Sequence, residues 1–164
     1  MSEYIENIAD MGEDTEGTIY FPLFDMELDV VMENGCSVEY GEKCADYLVN
    51  ISEEDKDRLA EYMIRYFRDT DAEEMNVPTD VEGREIFEYV YPSMMLVPYP
   101  EDEEKIGFRM EFDCDWEEDH GLELTVKDGK IAYVGMINEM SPWADNFEFF
   151  DADSGKNWNY ADKY

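Results

Sequence analysis

The run Glu111-Phe-Asp-Cys-Asp-Trp-Glu-Glu-Asp-His-Gly121 offers the widest choice of chemistry in this 164-residue chain. It carries six carboxylates, the only histidine and a tryptophan. Hard cations are held by several carboxylate oxygens, so a calcium-type site over 111–119 is one reading. The run departs from the helix–loop–helix calcium pattern. Counted from Asp113, Glu118 stands where that loop turns on glycine, and Leu124 where a bidentate acid closes it. The other reading is a strand end and a connection, with Trp116 on the core and the acids facing water. The spacing favours the second, and no metal ligand or cofactor is assigned. Asp151-Ala-Asp-Ser-Gly-Lys-Asn157 also alternates Asp and Asn, but these are common turn formers and no closing Glu follows.

His120 has the side chain best suited to general-base work at neutral pH. Such work needs a nucleophile or a substrate pocket beside it. The chain has no Gly-x-Ser-x-Gly, no phosphate-cradling glycine loop and no His-Glu-x-x-His. Among 44 acids a carboxylate pair carries no weight. No catalytic residue is assigned, and the chain is read as a non-enzyme. Cys36, Cys44 and Cys114 form no Cys-x-x-Cys pair. They read as reduced, buried thiols, and with a single histidine a Cys/His zinc site has no support.

Charge narrows the partner. The formal net charge is −32, which argues against direct contact with nucleic-acid phosphates or an anionic membrane. A 44% hydrophobic and 15% aromatic composition nevertheless predicts a folded chain, because disordered acidic segments are poor in both. The first residues carry neither a basic nor an apolar region of signal-peptide type. The longest uncharged run, 89–100, holds twelve residues with three prolines, too short to span a bilayer. The expected location is cytoplasmic.

The elements that must position these groups follow from periodicity. Residues 1–16 are read as a loose lead-in. Gly17–Phe21 is a short strand stopped by Pro22. Phe24, Met26, Leu28, Val30 and Met32 alternate with a mostly acidic set, which predicts a half-buried strand ended by Asn34-Gly35. Tyr40, Cys44, Tyr47, Leu48 and Ile51 form one helical stripe. Ser52 caps a second helix whose stripe is Leu59, Tyr62, Met63, Tyr66 and Phe67, with acids in its first turn and Arg65 and Arg68 late. The short join implies a helical hairpin. Residues 71–83 are read as a loop, 84–91 as a short helix and 93–97 as a strand.

Period-two alternation is strongest over 106–117 and 122–126, and Asp128-Gly129 signals a two-residue hairpin. That turn predicts Val126 opposite Ile131, Leu124 opposite Tyr133 and Leu122 opposite Gly135. The fold expected is α+β, a single domain over 1–164, with an antiparallel C-terminal meander packed against the helical hairpin. The aromatic-rich, aperiodic 137–164 is expected to drape over it.

Acids gather on strand faces. Asp25, Glu27 and Asp29 project from one predicted strand, and Glu111, Asp113 and Asp115 from another. Like charges on one sheet face cost stability, and a basic partner or bound cations relieve the cost; the other reading is charge that serves solubility alone. The functional expectation is an acidic binding module that occludes a basic protein, a toxin or a nucleic-acid enzyme. Its candidate contacts are Asp113, Asp115, Glu117, Glu118 and Asp119.

The run Phe112-Asp-Cys-Asp-Trp-Glu-Glu-Asp-His-Gly-Leu-Glu-Leu124, with Lys127-Asp-Gly-Lys130 and Val134-Gly135, resembles a C-terminal signature of small bacterial domains of unknown function. Some of those are similar to immunity proteins encoded beside polymorphic toxins. Pro22-Leu-Phe24 and the helical segment 39–70 fit the same pattern less distinctly. The resemblance implies an α+β domain, a bacterial cytoplasmic setting and a protein-binding role. It brings no catalytic residues.

Overall fold

A computed structural model describes residues 3–70 and 77–162. Seven strands form one sheet in chain order: β1 (Glu6–Asp10), β2 (Thr15–Phe21), β3 (Met26–Met32), β4 (Val90–Val97), β5 (Gly107–Cys114), β6 (Leu122–Lys127) and β7 (Lys130–Gly135). Every neighbouring pair is antiparallel except β3 and β4. Parallel strands need a long crossover. Here it contains α1 (Val38–Val49), α2 (Glu53–Asp69) and a 3-10 helix, Gly83–Tyr89. The fold is therefore α+β with a C-terminal meander, as expected.

Both α-helices start on a serine cap, of which the sequence predicts Ser52. The Ser37 hydroxyl accepts from the Tyr40 amide and the Ser52 hydroxyl from the Asp55 amide, each filling an open position at a helix start. Their stripes bury Tyr40, Cys44 and Leu48, and Leu59, Tyr62, Met63, Tyr66 and Phe67. These meet the inner sheet face, where Phe21, Val30, Met95, Phe108, Met110, Phe112 and Leu124 are at most 1% exposed. The three cysteines are free and buried in this core. Burial pushes the Cys36 thiol up to about 11 and those of Cys44 and Cys114 to about 12. These are not reactive thiols.

Four local readings change. Residues 1–16 are not wholly a lead-in: 6–10 form β1 and β2 begins at Thr15. All five residues of β1 are exposed, so this edge strand has no buried side to write an alternation. Phe24 belongs to a 3-10 turn, Pro22–Phe24, and not to β3. The strand placed at 93–97 begins at Val90, directly after the 3-10 helix. In the β6–β7 hairpin, Val126 does oppose Ile131, but a bulge then intervenes, so Tyr133 opposes Thr125 and Val134 opposes Leu124. One extra residue, Ala132, sends Tyr133 to the outer face and Val134 inward. Of the loop read at 71–83, residues 71–76 lie outside the described residues.

The C-terminal segment packs on its own domain. Residues 137–145 cross the outer face of β5–β7, where the Trp143 ring lies against Gly107 so closely that a Cβ there would sit 2.6 Å from it. The chain then covers the free edge of β7. The Val134 amide donates to Asn159 Oδ1, Asn159 Nδ2 donates to the Ala132 carbonyl, and the Tyr160 amide donates to the Val134 carbonyl. Covering an edge in this way removes a template for unwanted strand pairing. Beyond it Tyr160 stacks on Tyr66 of α2, and Arg65 and Asp69 pair with Asp162 and Lys156.

Candidate protein-docking face

The two acidic strands lie in one sheet and on one face, but not side by side. β4 runs between β3 and β5. The rows crossing the outer face are Thr18–Asp29–Met94–Glu111–Glu123 and Glu16–Val31–Leu96–Arg109–Thr125. The outward side chains of β4 are uncharged: Tyr91 is exposed, and Met94 and Leu96 are half-buried. Exposed Glu27 and Asp29 flank this strip on one side, and Glu111 and Asp113 on the other. Two strand spacings hold the acidic lines about 10 Å apart. The crowding expected of adjacent acidic strands is thereby avoided.

Of the acids proposed as partner contacts, Asp113 is on this open face, exposed and opposite Tyr91. Asp115 lies at its end, where its Oδ2 accepts from the Tyr91 hydroxyl at 2.9 Å. Glu117 turns back toward His120, its Oε1 3.1 Å from Nδ1, while Glu118 and Asp119 are exposed in the β5–β6 connection. Trp116 packs on the core between Tyr66 and Phe67. Asp25 does not join the face: it ends the 3-10 turn with a φ of 49°, and its Oδ1 accepts from the Tyr20 hydroxyl. Among the described residues no three His, Cys, Asp or Glu side chains are grouped to hold a metal ion. The acids of 111–119 alternate across a strand and then fan round a turn, which disperses them. Asp151 likewise serves a turn, its Oδ1 accepting from the Asp153 and Ser154 amides.

The same outer face is different over β5–β7. Beneath residues 137–145, Glu123 is wholly buried and Arg109 is 9% exposed. Glu123 directly opposes Glu111 across the strands. One guanidinium nitrogen of Arg109 serves both, 2.8 Å from Glu123 Oε2 and 3.4 Å from Glu111 Oε2. The Glu139 amide donates to the same Glu123 oxygen at 3.3 Å. Burial raises the Glu123 carboxyl to about 7, against the lowering pull of Arg109.

Residues 4–141 match the model of a domain of unknown function, DUF6985. The chain belongs to this family. No curated protein and no solved structure matches it. The DUF6985 match takes in the whole sheet, both helices and the first part of the covering segment, and ends before Trp143. No helix among the described residues is long and apolar enough to cross a membrane.

Sequence reasoning missed the buried pair in this DUF6985 domain. An acid between Leu122 and Leu124 reads as outward and therefore wet. It is outward, but the chain covers it. The available signal was the register: the single base Arg109 falls between two outward acids, Glu111 on its own strand and Glu123 on the next.

Proposed function

We propose that the protein is a non-enzymatic binding module of immunity or inhibitor type. It occludes a basic protein partner with the open outer face of β2–β5, in a bacterial cytoplasm. One observation carries the reading: the uncharged strip Tyr91, Met94 and Leu96 is flanked on both sides by acids over its Tyr91–Met94 part, Glu27 and Asp29 against Glu111 and Asp113, while Leu96 lies between Val31 and Arg109. Stable protein interfaces have such an anatomy, with an uncharged, aromatic-bearing centre and a polar rim. Acids placed only for hydration need no such centre. The field of a chain of charge −32 would steer a basic surface toward the face, and the strip would hold it once docked. Asp115, Glu117, Glu118 and Asp119 extend the acidic rim at one end. A toxin or nucleic-acid enzyme, whose cleft is shaped for phosphates, has the complementary charge.

The test is association kinetics with the basic proteins encoded beside its gene. The expected result is a rate that falls as salt is raised. Neutralising the exposed rim with Glu27→Gln, Asp29→Asn, Asp113→Asn, Glu118→Gln and Asp119→Asn should slow association about tenfold or more and flatten the salt dependence. An unchanged rate and salt slope in that variant would overturn the reading.

A further inference from the structure

The covered half of the outer face holds an unbalanced buried charge set beneath an irregular segment. Four groups bear on the Glu123 carboxyl: Arg109 and Glu111 from β5, Tyr133 from β7, and the exposed Glu139 of the covering segment, which lends its backbone amide. Arg109 supplies one positive charge to two carboxylates. With Glu123 protonated, the guanidinium and Glu111 balance. With Glu123 ionised, the set carries a net negative charge, half of it on a wholly buried carboxylate while only the half-buried Glu111 reaches water, and burying unbalanced charge is costly.

The hydrogen bonding is incomplete as well. Glu123 Oε2 accepts from Arg109 and from the Glu139 amide, whereas Glu123 Oε1, Thr125 Oγ1 and Asn138 Nδ2 are buried with no partner among the described residues. Asn138 belongs to the covering segment. An ionised carboxylate seeks several donors, and this site supplies Oε1 with none. Opening the segment would expose that oxygen to water.

The cover itself is held at few points. Besides the Glu139 amide, the Ile137 amide donates to the His120 carbonyl, the Lys127 ammonium donates to the Ala144 carbonyl, and Trp143 rests on Gly107. No helix or strand stiffens it. Segments with few backbone bonds open at lower free energy than the sheet beneath them.

We propose that residues 137–145 are a proton-operated latch, seated on the outer face while Glu123 carries a proton and released when that carboxyl ionises. The sign follows from linkage. The closed state holds the carboxyl at about 7 and the opened state returns it toward its ordinary 4.5, so the closed state binds more protons between those values. Closure is strongest at the acid end, weakens as pH rises through that window and levels off above it. Release would join the Arg109–Glu123 pair to the open face of β2–β5.

Hydrogen exchange of the full chain, followed across pH and corrected for intrinsic rates, tests this. The excess of acids loosens the whole molecule as pH rises, so the readout is protection of 137–145 relative to β5. That ratio should fall at least about tenfold from pH 5 to pH 7.5 and then flatten. In Glu123→Gln, which keeps the shape of the neutral carboxyl, it should stay constant within about threefold. A wild-type ratio independent of pH, or one that rises with pH, overturns the proposal, and that measurement stands even if the Gln variant does not fold. A folded Gln variant with the wild-type profile also overturns it.

Discussion

The two halves of the outer sheet face are made from similar residues and treated in opposite ways. Over β2–β5 the acids are exposed, apart from half-buried Glu111, and separated by an uncharged strand. Over β5–β7 the chain covers the face with its own residues, and the Arg109–Glu123 pair is sealed inside, with half-buried Glu111 at its margin. Charge in the open half costs little, because water screens it and the long-range field is available for steering. Charge in the covered half acts on stability, because little water reaches it. The same residue type therefore marks a surface in one half and a proton-sensitive joint in the other. Only the path of residues 137–162 decides which.

The sharpest way to break that comparison is to remove one base. Arg109→Ala leaves two directly opposed carboxylates, one fully buried, with no positive partner. Losing one member of a buried pair costs about 3–5 kcal/mol. The loss should grow with pH, because removing the guanidinium raises the Glu123 carboxyl further and the folded state then resists ionisation more strongly. Urea unfolding at pH 5 and at pH 8 measures both the size and the slope. Equal losses at the two values would show that the pair does not govern the covered half.

The next effect is steric. Gly107 is the floor on which the Trp143 ring rests. Gly107→Val places a branched side chain where even a Cβ lies 2.6 Å from the ring, so Trp143 must leave. Overpacking of this kind costs about 1–3 kcal/mol. It should also raise hydrogen exchange across 137–145 while the inner face, which packs on α1 and α2, keeps its protection. Uniform loosening of the molecule would mean that the cover and the core are one cooperative unit.

How far these features could be read beforehand depended on burial. The meander over β5–β7 and the two helices α1 and α2 were legible because each element buries one side, and that side writes its period into the sequence. Strand β1 was not, because Glu6, Asn7, Ile8, Ala9 and Asp10 are all exposed and the strand is held by backbone bonds to β2. The bulge at Ala132 was not, because Ile131, Tyr133 and Val134 are all apolar and either register buries enough of them. The acidic open face was legible as two separate acidic strands. Their spacing was not, since it depends on the parallel insertion of β4 after a crossover of two helices. Glu123 was hidden by a more general cause. Alternation tells which way a side chain points, never whether another part of the chain lies over it.

The smallest expected effect tests the open half directly. Glu27→Gln and Asp29→Asn together remove two exposed charges from β3, and neither carboxylate faces an acid on β4, where Asp29 opposes Met94. Surface substitutions away from buried networks change stability little, so the melting temperature should move by no more than about 2 °C. A small rise is expected, because a chain of charge −32 gains from losing negative charge. The shift should shrink further at high salt, where exposed charges are screened beyond about 3 Å at molar ionic strength. A fall of the size expected for Arg109→Ala would mean that these acids hold the sheet together, and the division of the outer face into a wet docking half and a sealed half would fail.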